Sequence, residues 1–548
     1  MTPRFVSILP KREKNSSRKL SALLTALFLL NAPIPLSAAA PGRVIGSIIF
    51  DIHSVFDTDS PEESGWVYRA ADSIHVKTRE AVIRRELLFS EGGPYVPALV
   101  KETERNLRRL GFIRRAKIET AVNSKGTVDV TVHTYDSWTL EVVADAGRAG
   151  GTNRWKAGFS ESNLMGMGKT ASAKYINDGA DSQADLGWKD PQVMGLKHLN
   201  SSVKILESPD TRSYSAAVNR PFFASIARSA LGVTAGYGEN KVTTYSGETV
   251  TNTVRKRTRD AGVNYGLALK PSTHRARRVN ASFNQHRADY SATRETSGPV
   301  PESEQLGFFQ LGLDWEVLDF VKVRRIQKFS HDEDYNLGFG IFPGVSWAPP
   351  VYPLSSTGSS FLPGFLIRKG FSWTERLLMM KGGYTNTYVN AGESSSLLSM
   401  DALFFITGLP RQTLALHTAY DHGSRLGPAA SLGLGENNGL RGYGENQFTG
   451  SRRFLLNVED RIFIREDVFK VLDIGAVAFY DAGYAWPAER RTRLNDIKSS
   501  VGFGLRLAPS RSSGNSPTRI DFAYPLNGTA ERSGWSVSIL GGHAFGPS

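Results

Sequence analysis

The sequence predicts a mainly β protein, a transmembrane antiparallel β-barrel preceded by a small α+β domain. Three observations predict it. Segments of roughly ten residues that alternate apolar with small or polar side chains recur from Trp138 to Phe545. An export-type leader occupies residues 1–39, and residues 40–135 hold two amphipathic helical stretches among strands. No run of about 18 apolar residues occurs and mean hydropathy is negative, which excludes helical spans.

In the leader, Lys11, Arg12, Lys14, Arg18 and Lys19 form a basic region ahead of the apolar run Leu20–Leu30. Pro33 and Pro35 then lead to Ser37, Ala38 and Ala39, the order of a secretory signal peptide cut after Ala39. An uncleaved anchor is the competing reading, but the run is short for a bilayer. With no cysteine, the chain has no disulfide framework, thiolate metal site or cysteine nucleophile. The formal charge is +13; the leader holds six basic residues and one acidic one, which leaves +8 beyond it. Basic residues are scattered apart from Arg255–Arg259, so anionic lipid headgroups, and no nucleic acid, are the expected partner.

Residues 40–135 read as strand, helix, helix, strand, strand. Val44–Ile52 is the first strand; Thr78 caps a helix to Leu88, and Pro97 opens a second that ends at Gly111. Leu99, Thr103, Leu107 and Leu110 share a face of that second helix. Ala116, Ile118, Thr120 and Val122 alternate with polar residues, as do Val128, Val130 and Val132 after the turn Asn123–Gly126. The phrases RRELLFSEGG (Arg84–Gly93) and ERNLRRLGF (Glu104–Phe112) make this unit resemble a POTRA module, with Val55–Asp72 as an inserted loop. A different small α+β binding domain is the alternative.

From Trp138 onward composition shifts to Gly, Ser, Thr and aromatic residues. Val501, Phe503, Leu505 and Leu507 alternate with Gly502, Gly504, Arg506 and Ala508; Ile520, Phe522 and Tyr524 alternate with Arg519, Asp521 and Ala523. Only a closed barrel satisfies the backbone of such strands in lipid. Some twenty strand-like segments can be counted, of which some should merge or project outside the membrane. Phe342–Gly364, rich in Pro and Ser, and Glu239–Arg255 read as long loops or turns. The run Gly439–Gly450, GLRGYGENQFTG, is a glycine-bracketed loop after which five alternating segments follow.

That loop and its five strands resemble the Omp85 superfamily. Leu440–Tyr443 is similar to the family's Arg-Gly-aromatic motif, with Leu in place of Val or Ile, and Phe479–Gly483 (FYDAG) is similar to its wall motif. Asn163–Lys169 (NLMGMGK), Asp190-Pro191 and Arg220–Phe222 (RPF) also look like the family. The resemblance implies sixteen strands and a loop folded into the lumen, where Arg441, Gly442 and Tyr443 meet the wall. By parity Asp481, Glu459 and Arg461 point inward, which suggests an arginine latch. Barrel closure is expected between a first strand near Trp138–Gly147, carrying Trp138 and Glu141, and a last strand near Gly534–Phe545, carrying Trp535 and Phe545. Asp145, Ala146, Gly147 and Ala149 should make that seam pair poorly, leaving an edge for a client strand.

The function so implied is insertion or translocation of proteins at the outer membrane, with the POTRA-like domain in the periplasm. Its clients would be unfolded β-barrel or secreted proteins. A passive pore and a dedicated exporter of one secreted partner are the alternatives. The sequence shows no Gly-x-Ser-x-Gly elbow and no His-Glu-x-x-His, so no catalytic residue, cofactor or metal is expected. The acidic run Asp332-Glu333-Asp334 reads as a solvated turn, and the oligomeric state is left open.

Overall fold

The structure, a computed structural model, describes residues 42–547 apart from 150–151, 178–181, 247–248, 352–353, 355–357, 391–392, 427–430, 513–515 and 528–533. The expected leader at 1–39 lies outside the described residues. The α+β unit opens with β1 (Ile45–His53), followed by α1 (Trp66–Ile74), α2 (Glu80–Glu86), α3 (Pro97–Arg109), β2 (Ile113–Val122) and β3 (Val128–Asp136). Its sheet runs β1-β3-β2, with β1 parallel and β2 antiparallel to β3. Every second residue of β3 from Val128 to Asp136 is buried. Val82 and Ile83 of α2 and Leu107 of α3 close over that face, so one core holds both helices to the sheet.

Two details differ from expectation. Thr78 makes no helix cap; its backbone N–H donates to Asp136, and its hydroxyl accepts from Asn163 Nδ2 at 2.8 Å. The segment Val55–Asp72 is not simply a loop, because α1 begins within it.

The barrel starts with β4 (Leu140–Ala149), β5 (Thr152–Glu161), β6 (Thr170–Asn177), β7 (Ser182–Asp190), β8 (Asn200–Glu207) and β9 (Thr211–Arg220). Four longer strands follow: β10 (Ser229–Ser246), β11 (Thr249–Ala268), β12 (Arg275–Ala292) and β13 (Glu304–Val317). A small hairpin of β14 (Phe320–Val323) and β15 (Glu333–Asn336) interrupts the series. It resumes as β16 (Gly340–Ala348), β17 (Ser360–Trp373), β18 (Arg376–Val389), β19 (Glu393–Ile406) and β20 (Gln412–Ser424). The GLRGY loop holds the short β21 (Leu432–Leu434) and β22 (Phe448–Gly450). Five strands then finish the barrel: β23 (Arg452–Val468), β24 (Leu472–Trp486), β25 (Lys498–Pro509), β26 (Thr518–Pro525) and β27 (Ser536–Gly541).

Among the described residues the closed sheet has twenty strands, not the sixteen that resemblance implied, with β27 next to β4. The physical reason is that nearly every alternating segment pairs with both neighbours, so few merge and few project. Phe342–Gly364 is strand at both ends, in β16 and β17, and a connection only between them. Pro343 and Pro363 lack a backbone N–H, yet each falls where one ladder is interrupted: between Gly312↔Gly344 and Trp315↔Ile341, and between Phe361↔Tyr388 and Gly364↔Thr385. Glu239–Arg255 likewise forms the far ends of β10 and β11, which pair along their length. Arg255 and Arg257 there share Glu239, and Arg259 pairs with Asp289, so two carboxylates offset part of the basic cluster.

Side chains alternate as a membrane wall requires. On β24, Asp473, Val477, Phe479 and Asp481 are buried inward, whereas Tyr480 is exposed on the other face. Phe503, Leu505, Val537 and Ile539 extend that apolar outer band across β25 and β27.

The α+β unit docks on the turns at the end where β4 begins. Glu102 of α3 accepts from Ser225 N at 2.6 Å and from Ser225 Oγ at 2.5 Å. Arg511, in the β25–β26 turn, reaches Glu63 at 2.7 Å and Val55 O at 3.2 Å. The motif fragments NLMGMGK, DP and RPF lie at or beside this joint. Asn163 holds Thr78, Gln192 accepts from Arg85, and the Phe223 carbonyl accepts from Asn106.

Candidate functional site: the plugged lumen

Three segments fill the lumen. The GLRGY loop enters from the end opposite the α+β unit. Gly442 has φ +87°, a backbone conformation that other residues rarely adopt, and it lies against Ala523 and Ser500 of the wall. The turn so made buries Leu440 among Leu434, Phe448 and Leu455, and Tyr443 OH donates to Ser499 O at 2.9 Å. It also aims Arg441, 1% exposed, at the wall.

Arg441 makes a two-pronged pair with Asp481, Nε to Oδ2 at 2.7 Å and Nη2 to Oδ1 at 2.9 Å. Its Nη1 donates to Glu459 at 2.7 Å and to Asp521 at 3.3 Å, and the guanidinium lies 3.5 Å over the Phe479 ring. Asn457 Nδ2 donates to Gly439 O and to Asp481, which ties the loop backbone to the same carboxylate. Arg461 Nε donates to Glu459 Oε2 at 2.9 Å, and Arg506 Nη1 to Asp521 Oδ1 at 2.6 Å. The structure thus brings Arg441, Glu459, Arg461 and Asp481 together. Sequence reasoning missed Asp521, Arg506 and Arg519, although their places on the polar faces of β25 and β26 were a signal.

The second plug is the excursion carrying β14 and β15. Ile326 and Phe329 are buried, Phe329 against Phe463 and Ala508. Arg461 Nη1 donates to Ile326 O at 2.6 Å. The acidic run here is no solvated turn. Glu333 is buried and accepts from the backbone N–H of Ile326, Gln327 and Lys328 and from Tyr335 OH. Asp332 pairs with Arg324, and Asp334 takes both prongs of Arg108, at 2.8 and 2.7 Å. The three carboxylates fold the hairpin and fasten it to α3.

In the same hairpin, burial, with Lys328 and Arg114 nearby, pushes the His331 imidazole down to about 3, while its ring meets Ser510 O at 3.3 Å. A depressed histidine binds fewer protons folded than unfolded, so docking weakens as pH falls below about 6.5. Raising pH above that value costs nothing. Channel openings in a planar bilayer should therefore become more frequent from about pH 7 to about pH 5. His331→Gln, which cannot titrate, should flatten that dependence.

The third plug is the segment after β27. Gly542 (φ +81°) ends the strand, and residues 543–547 turn inward. The ring nitrogens of His543 are buried, Phe545 stacks on His417 with its carbonyl accepting from Arg461 Nη2 at 2.8 Å, and Gln327 Nε2 donates to Pro547 O. Phe545 is accordingly inside the lumen and not in the closing strand. Trp138 also stands outside it: it precedes β4, and its N–H donates to Arg511 O at 2.6 Å. Glu141 lies on β4. Trp535 just precedes β27, packed on the outer face against Phe503 and Tyr524. The seam is therefore shorter than expected, because β27 has only six residues.

A closed barrel with an apolar outer band, plugged from both ends and carrying at one mouth an α+β unit that matches POTRA, is the architecture of a plugged membrane β-barrel with a POTRA-like domain. Residues 75–134 match the family model described as POTRA, surface antigen variable number repeat. The chain is 29% identical over 128 residues, 22% of its length, to outer membrane protein assembly factor BamA of Neisseria meningitidis serogroup B. That match spans only 16% of the BamA chain. Among solved structures, CdiB from Escherichia coli aligns at 12% identity and TM-score 0.45, covering 97% of this chain and 98% of that one. CdiB from Acinetobacter baumannii aligns at 12% and 0.42, covering 95% and 96%. BamA from Haemophilus ducreyi lacking POTRA domains 1–3 aligns at 12% and 0.37, covering 92% and 84%. At such identities and TM-scores these likenesses add nothing to what the strand pairing itself shows.

Proposed function

We propose that this protein exports a secreted protein partner through a lumen that stays plugged until the POTRA domain releases it. The observation that carries the reading is the Arg108–Asp334 pair. It joins α3 of the POTRA domain to the β14–β15 plug by two charge-assisted bonds, and both side chains are at most 10% exposed. A client that binds the domain and tilts α3 would pull on the plug directly. Glu102–Ser225 and Arg511–Glu63 resist that tilt and keep the resting state closed. A passive pore has no use for three converging plugs. Clients bind by contacts to the domain and lumen wall, and no cofactor enters the scheme.

The test is conductance of the purified protein in planar bilayers. The intact protein should be closed most of the time, and Arg108→Ala or Asp334→Ala should raise open probability at least about tenfold, the effect of weakening closure by 1.4 kcal/mol. A continuously open wild type would support the passive pore. Variants as closed as wild type would remove the coupling.

One observation favours a second reading, insertion of clients at the seam. β27 pairs with β26 over only six residues, from Thr518↔Gly541 to Ala523↔Ser536, and is the shortest of the barrel strands. A short terminal strand is the easiest edge to exchange for a client strand.

A further inference from the structure

The helix α1 has its apolar side turned away from the protein. Along its turns Trp66, Val67, Ala70 and Ile74 fall on one face, and all four are exposed, Trp66 by 75%, Val67 by 54% and Ile74 by 67%. The opposite face serves the fold: the Tyr68 ring packs 5.3 Å from Phe56, and Asp72 accepts from Ser54. A helix that turns a partly covered side to the fold and leaves these apolar residues exposed needs a partner.

Its place in the molecule says which. Tyr68 OH donates to Phe469 O in the β23–β24 turn at 3.2 Å, and Lys470 of that turn pairs with Glu62 at 2.6 Å. Phe469 is 82% exposed, and Val471 beside it leads into the lipid-facing residues of β24. At the other end, Ile74 and Val76 line a cavity of about 220 Å³ with Trp138, Leu140, Leu164 and Met165, at the foot of β4 and in the β5–β6 turn. Met165 and, one turn further round, Met194 are exposed at the same end of the barrel. The apolar face of α1 is thus continuous with the foot of the lipid-facing band on both sides of the β27–β4 seam. Arg69, Lys77 and Arg79 stand exposed around it, where lipid phosphates would lie. Tryptophan, short aliphatic residues and flanking cations are what a membrane interface accepts.

We propose that α1 is an interfacial helix seated in the periplasmic leaflet of the outer membrane, with Trp66, Val67, Ala70 and Ile74 among the lipids. It holds the POTRA domain at the foot of the seam. The occupant is the lipid surface, not a second copy or a client. The inference rests on the membrane-barrel reading and is independent of what the protein exports.

Because the chain has no cysteine, single sites can be labelled in the full-length protein. Trp66→Cys and Ala70→Cys, each carrying an environment-sensitive fluorophore, are compared in phosphatidylethanolamine/phosphatidylglycerol nanodiscs with Lys125→Cys in the β2–β3 turn. Val537→Cys on the lipid face of β27 is the positive control. Nitroxide-labelled lipid should quench the probes at 66 and 70 at least about twofold more than the probe at 125, with blue-shifted emission. Quenching equal to that at 125 overturns the proposal, and so does a blue shift without lipid quenching, which would mean burial against protein. Disulfide dimers formed by the unlabelled Trp66→Cys protein under mild oxidant, together with a blue shift of the labelled protein that vanishes on dilution, would overturn the proposal and assign the face to a second copy. If the probe at 537 is itself unquenched, the membrane-barrel reading fails and takes this inference with it.

Discussion

Arg441→Ala should lower the temperature at which the folded protein unfolds in a gel more than any other single change in the lumen. It leaves Glu459, Asp481 and Asp521 in a wholly buried wall without the cation that bridges them. Breaking a buried ion pair from one side costs about 3–5 kcal/mol, because the remaining charge stays desolvated. Arg441→Lys should recover little, since an ammonium cannot span two carboxylate oxygens of Asp481 while reaching Glu459. Asp481→Asn should act in the same direction, and the double variant should be little worse than Arg441→Ala alone. Additive losses would mean that the two side chains act independently and that the latch role is wrong.

A covalent lock on the seam should have the next largest effect, and it separates the two functional readings. Cysteines at Glu141, Val143 or Asp145 of β4, tested against Ser536, Ser538 or Leu540 of β27, should cross-link in at least one combination when their Cα atoms come within about 4.4–6.8 Å. An exporter that works through its lumen should keep its gated conductance and its secretion when locked. An inserter that parts the seam should lose all activity and regain it on reduction. Failure to cross-link in any combination would contradict the closure of β27 on β4.

The unequal legibility of the fold has physical causes. Alternation is a local property of each strand, so the polar face that carries Asp481, Glu459 and Arg461 could be read without knowing any neighbour. The same alternation counted some twenty segments, and the structure pairs twenty; the figure of sixteen came from resemblance alone. Pro343 and Pro363 hid two strands, because a proline reads as a break unless the gap in the neighbouring ladder is known. Glu333 was misread for a similar reason: three backbone N–H groups hold it, and backbone donors leave no mark in a sequence. Phe545 continued the alternation of the last strand on paper. Only Gly542 and the pull of Arg461 on its carbonyl show that the chain has already turned inward.

The latch cluster also carries an imbalance of charge. Arg441, Arg461, Arg506 and Arg519 face Glu459, Asp481 and Asp521, and Arg506 and Arg519 each keep buried guanidinium nitrogens without a hydrogen bond. Uncompensated charge on a wall of low dielectric projects its field into whatever space opens beside it. Withdrawal of the GLRGY loop would take Arg441 with it and leave Arg461, Arg506 and Arg519 against Glu459, Asp481 and Asp521, so the wall of β23–β26 passes from an excess of positive charge when plugged to balanced charge when open.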